Sequence, residues 1–108
     1  MSAEEMERKI REKLREAKDP EVGLSVVDLG LIDEVRYEDG VAKVTFHPTT
    51  PFCPSTLSVQ IGIDIYLKAS EVEGVRKVVV RIKNHAYERQ VNELINKYIE
   101  QLESSHTR

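Results

Sequence analysis

The sequence predicts an α/β (α+β) two-layer sandwich, in the order α-β-β-α-β-α, with helices packed on a three-stranded mixed sheet. Three observations predict it. Charge-rich segments with a helical apolar stripe occupy both ends of the chain. An Asp-Gly turn joins two alternating segments in the first half. A third alternating segment, Val75 to Lys83, follows a second turn at Glu73-Gly74. The chain has 108 residues, one domain's worth, and is read as a single domain over 1–108 with a frayed tail from about Ser104 to Arg108.

The first element is a helix because Met6, Ile10, Leu14 and Ala17 fall on one face. Ser2 and Glu5 have the spacing of a capping box, which gives two orphan N–H groups acceptors. The other positions alternate acid and base, as a solvated face does. Pro20 disfavours the α conformation at Asp19, so the helix stops near Lys18.

Ile32 to Glu38 and Val41 to His47 read as a hairpin. Asp39-Gly40 supplies a type I′ turn, since Gly takes positive φ without strain. The implied register sets Tyr37 opposite Ala42, Val35 opposite Val44, and Asp33 opposite Phe46. Val35, Tyr37, Ala42, Val44 and Phe46 then share the buried face, and Glu34, Arg36, Lys43 and Thr45 the other.

Pro48, Pro51 and Pro54 stiffen the loop that follows. Beyond it, Leu57, Val59, Ile61, Ile63, Ile65 and Leu67 alternate strictly, which taken alone reads as a strand. A helix also fits, with Leu57, Ile61, Ile65 and Ala69 on one stripe and Val59, Ile63 and Tyr66 beside it. Val78, Val80 and Ile82 point inward from the third strand. Asn84 or His85 caps a last helix with the stripe Val91, Leu94, Ile95, Tyr98 and Leu102.

Composition excludes several classes. Nineteen acidic residues against sixteen basic ones give a formal charge of −3, unlike a dedicated nucleic-acid binder. The basic cluster Arg76, Lys77, Arg81, Lys83 and Arg89 is read as solvent face. No apolar run approaches the ~18 residues of a membrane span, and Met1 to Lys18 has no signal-peptide core, so a cytoplasmic location is expected. One cysteine excludes an intrachain disulfide and an all-cysteine metal site in one chain.

Cys53 is the leading candidate for chemistry. It stands where a stiff loop meets the start of a helix, and the dipole there favours a thiolate, the form that attacks and binds metal. The bland alternative is a small buried hydrophobe. Asp19 and Glu21 flank Pro20 and offer oxygen ligands or simply a turn. Thr49 and Thr50 bring hydroxyls near Cys53, or satisfy local backbone groups. His85 is a second metal ligand or a helix cap. His47 and His106 have no distinctive setting.

Asp19-Pro20-Glu21 with Val27-Asp28-Leu29-Gly30-Leu31-Ile32, then Pro48-Thr49-Thr50-Pro51-Phe52-Cys53, then His85-Ala86-Tyr87-Glu88 with Val91-Asn92, together resemble the MIP-eighteen-like family of iron–sulfur cluster assembly proteins. This family, also called domain of unknown function 59, includes SufT- and PaaD-like proteins, and the last motif is similar to its eukaryotic branch. The resemblance implies a helix after the cysteine. It implies a non-enzymatic factor that helps deliver or insert clusters into apo-proteins through a reactive cysteine. Cys53 would be the functional thiol, with Asp19, Glu21, Thr49, Thr50 and His85 as neighbours and Cys53 and His85 as the metal-binding pair. The partners implied are apo iron–sulfur client proteins and other assembly or carrier proteins, with no nucleic acid and no membrane. The cargo would be a transient iron–sulfur cluster or iron, none held stably by one chain. One thiol cannot supply the four ligands of a cluster, so a homodimer, an external thiol or a client must supply the rest. The eukaryotic branch carries His directly before the cysteine, where this chain has Phe52. A thiol-based redox protein or enzyme, and an adaptor with an inert cysteine, are the alternative readings.

Overall fold

The computed structural model describes residues 2–106, with side chains described as far as Ser104. Helix α1 (Ala3–Lys13) opens with the expected capping box. The Ser2 hydroxyl accepts from the Glu5 N–H at 3.1 Å, and the Glu5 carboxylate accepts from the Ser2 N–H at 3.3 Å. These contacts hold the Glu5 carboxyl below the usual carboxylate range. Met6 and Ile10, then Leu14 in a 3-10 turn (Leu14–Glu16), then Ala17, are all buried.

Strands β1 (Ile32–Glu38) and β2 (Val41–Phe46) pair antiparallel. Asp39 (φ 50°) and Gly40 (φ 83°) make the turn. Val35 faces Val44 and Tyr37 faces Ala42, as the pattern requires. At the far end Ile32, not Asp33, faces Phe46. An extra residue bulges β1 there, so an apolar side chain takes the place opposite Phe46 and the Asp33 carboxylate turns out to meet His47 Nδ1 at 2.8 Å. Positive φ at Gly40 strains any residue with a Cβ, and a Cβ there would also push the Arg76 guanidinium group aside. Gly40→Ala is expected to lower stability by about 1–2 kcal/mol, read as a lower urea midpoint with unchanged slope.

Helix α2 (Ser55–Ser70) replaces the strand that alternation suggests, in agreement with the family resemblance. Two helical stripes offset by two residues produce the alternation. Leu57, Ile61, Ile65 and Ala69 are buried against the sheet. Val59, Ile63 and Leu67 form a second row that lines a groove. Gly62 lets α2 approach closely, since a Cβ there would lie 2.8 Å from Ile95 Cδ1 and 3.5 Å from Phe46 Cζ.

Strand β3 (Lys77–Ile82) runs parallel to β2, so the sheet order is β1-β2-β3 and α2 is the crossover. Val78, Val80 and Ile82 are buried. Helix α3 (Glu88–His106) continues past Ser104, where a frayed tail was expected; Thr107 and Arg108 lie outside the described residues. Its buried row is Val91, Ile95 and Ile99, whereas Leu94 and Tyr98 are part-exposed, at 39% and 46%. The row that meets Gly62 and the sheet follows i, i+4 from Val91, and Leu94 and Tyr98 sit one step around the helix. The Asn92 amide bonds both backbone groups of Ile82, accepting from its N–H at 2.9 Å and donating to its carbonyl at 3.0 Å. No helix among the described residues is long and apolar enough to cross a membrane.

Candidate functional site

Because β2 and β3 are parallel, the segments that leave them emerge at one end of the sheet. The loop after β2 carries Cys53; the segment after β3 carries His85. Thr50 shapes the cysteine loop. Its hydroxyl accepts from the Phe52 N–H at 3.2 Å, and its carbonyl accepts from the Cys53 N–H at 3.2 Å. Thr50 is therefore the local backbone partner that the bland reading describes, while Thr49 is exposed to solvent.

Two hydrogen bonds clamp this loop to the segment after β3. The Ala86 N–H donates to the Pro51 carbonyl at 2.7 Å. His85 Nε2 lies 2.8 Å from the Cys53 carbonyl oxygen. The Tyr87 N–H donates to His85 Nδ1 at 2.9 Å, so Nδ1 is an acceptor and the ring hydrogen belongs on Nε2. His85 is buried, and both of its ring nitrogens are engaged in these bonds. Its contact with Cys53 is made through the peptide carbonyl. No group of three or more His, Cys, Asp or Glu side chains is gathered for a metal among the described residues.

Cys53 is a free thiol, 8% exposed, packed at the margin of the hydrophobic core. Pro54 caps α2, with no side-chain cap bond and no acidic residue in the first turn. The dipole at that end of the helix is therefore not offset by local carboxylates. Phe52, 81% exposed, precedes the thiol in sequence, and Tyr87, 59% exposed, follows the clamp and donates its N–H to His85. Nothing in the spacing of the residues foretells the clamp, because its acceptors are backbone carbonyls.

The Asp19-Pro20-Glu21 turn is built by its own backbone. Asp19 is buried, and its carboxylate accepts from the Glu21 N–H at 2.9 Å. Its carbonyl accepts from Gly23 at 2.7 Å, and Glu21 is exposed. The turn lies over α2, where the Lys18 N–H donates to Asp64 at 3.1 Å and Pro20 shares a groove with Ser55 and Thr56.

Comparison with known proteins agrees with this geometry. The family model described as "Iron-sulfur cluster assembly protein" matches residues 7–82. An uncharacterized protein of Methanocaldococcus jannaschii is 36% identical over 83 residues, 76% of this chain and 85% of that one. An iron-sulfur cluster carrier protein of Deinococcus radiodurans is 39% identical over 62 residues, 57% of this chain but 17% of that protein. An Fe-S protein maturation auxiliary factor of Porphyromonas gingivalis is 40% identical over 68 residues, 62% of this chain and 63% of its own. The crystal structure of a Domain of Unknown Function DUF59 from Bacillus anthracis superposes with a TM-score of 0.69 at 26% identity, covering 93% of this chain and 96% of that one. The parallel β2–α2–β3 frame, the cysteine loop and these matches make the chain a member of the MIP-eighteen-like iron–sulfur cluster assembly family.

Proposed function

We propose that this protein handles an iron–sulfur cluster or iron as transient cargo through Cys53 and passes it to apo-proteins. The observation that carries the reading is the position of its only cysteine. The thiol stands at the margin of the core beside a helix start without a side-chain cap, in a loop held by one backbone hydrogen bond and one from the His85 ring. A thiol held in a fixed loop suits a ligand that must bind a cation and release it. His85 acts here as a positioning residue, not a ligand, because both ring nitrogens already have partners. One thiolate leaves the remaining cluster ligands to other molecules, which suits a carrier better than a store.

Anaerobic reconstitution with iron and sulfide tests this, for wild type and Cys53→Ala, read by visible absorption and metal content. The expected outcome is cluster absorption in the wild type that falls at least about tenfold in Cys53→Ala, as loss of a metal ligand requires. Equal iron uptake by both forms, or none by either, would overturn the carrier role.

A further inference from the structure

We propose that Ser58 is a positioning residue for the thiol: its hydroxyl donates a hydrogen bond to the Cys53 sulfur when that sulfur is bound to metal. The inference rests on the reading of Cys53 given above. With Pro54 as the N-cap of α2, Cys53 occupies the position just before the cap and Ser58 the fourth position of the helix. Side chains at these two positions pack against each other across the first helical turn, ordinarily as a pair of hydrophobes. Here the pair is a thiol and a hydroxyl, both buried, at 8% and 1% exposure. The Cα–Cβ bond of a helical residue also tilts toward the helix N-terminus, which directs Ser58 back to the cysteine loop.

Ser58 differs from the other buried polar side chains. Asp19, Ser25 and His85 each have a hydrogen-bond partner. The Ser58 hydroxyl is buried without one among the described residues. A helical serine ordinarily finds an acceptor in the carbonyl one turn back. Ser70, at the far end of the same helix, does so with the Tyr66 carbonyl. The corresponding carbonyl for Ser58 is that of Pro54, which accepts the Ser58 N–H at 3.0 Å. A buried hydroxyl without an acceptor lowers stability, so each such group calls for an explanation.

The chemistry of sulfur supplies one. A neutral thiol is a weak acceptor, whereas a thiolate carries charge and accepts strongly. When metal loads, the Cys53 S–H gives its proton to solvent and an S–metal bond forms. Ser58 keeps its proton and gains the acceptor that it lacks in the empty protein. Hydrogen bonds to ligand sulfurs tune the electronic properties of iron–sulfur clusters, so Ser58 adjusts how firmly Cys53 holds its cargo.

The test compares the full chain as wild type, Ser58→Ala, Cys53→Ala and the double variant. In urea, metal-free Ser58→Ala is expected to unfold at a higher midpoint with unchanged slope, because the unpaired hydroxyl is gone. A lower midpoint would show a hydroxyl already satisfied and would overturn the proposal. One equivalent of mercury(II) chloride then loads the thiol without iron. A hydrogen bond lowers the energy of the sulfur lone pairs, so the sulfur-to-mercury absorption band is expected at longer wavelength in Ser58→Ala. Neither Cys53→Ala form should show the band. A packing role alone would leave the band unmoved, and an unmoved band overturns the proposal. After reconstitution with iron and sulfide, release of iron to a chelator is expected to be about tenfold faster in Ser58→Ala, as loss of a charge-assisted hydrogen bond implies. Release as slow as in the wild type overturns it as well. A shifted mercury band without Cys53-dependent iron uptake would keep the hydrogen bond and remove the carrier reading. Cys53-dependent iron uptake with an unshifted band would do the reverse.

Discussion

His85→Ala is expected to raise the rate at which iodoacetamide alkylates Cys53 by about tenfold or more. The ring donates to the Cys53 carbonyl and accepts from the Tyr87 N–H, and it is 6% exposed. Alanine leaves a buried carbonyl and an N–H without partners, each a penalty of about 1–3 kcal/mol. That penalty weighs on the closed loop and is relieved when the loop opens and both groups reach water. A shift of ~1.4 kcal/mol already multiplies the open population tenfold. His85→Gln is the control, because its amide nitrogen stands near the place of Nε2 and can donate to the same carbonyl. Glutamine should restore most of the protection. An alkylation rate unchanged in His85→Ala would show that the clamp does not govern access to the thiol.

Phe46→Ala is expected to destabilise the fold by about 3–5 kcal/mol. Phe46 is fully buried, lies at the end of β2, and reaches the face of α2 at Gly62. Gly62 meets the ring at ordinary contact distance, 3.5 Å from where a Cβ would lie, and its tighter neighbour is Ile95 of α3, so truncation leaves a cavity between β2 and α2. A domain of this size has on the order of 5–15 kcal/mol in total, so about a fifth or more would go. Urea unfolding measures the loss. A loss under ~1 kcal/mol would mean that α2 can settle onto the sheet and refill the space.

The hairpin was legible in the sequence because its signals are local: Asp39-Gly40 fixes the turn, and alternation fixes the faces. The bulge at Asp33 was not, because one residue of slip leaves the pattern of Val35 and Tyr37 unchanged. The α2 segment misled by period because two surfaces, core and groove, each claim a row of apolar residues. Ile99 was missed in favour of Leu94 and Tyr98 for the same reason: apolar character does not say which neighbour a side chain meets. Of the site, Cys53 was legible from its solitary place between prolines and a helix. The nearness of His85 came from resemblance alone. What its ring does there depends on carbonyls that every residue possesses, and no side-chain pattern encodes that.

The direction of β3 carries a geometric consequence for the thiol. Cys53 and His85 are 32 residues apart and meet only because two strands point the same way. Were β3 to run the other way along β2, the chain would leave it at the opposite end of the sheet. At ~3.3 Å per residue, that end is roughly 17 Å from the cysteine loop. The same side chains and strand count would then build a core with an untethered loop. Strand polarity is thus a functional variable in this protein, as much as the identity of the residue that carries the sulfur.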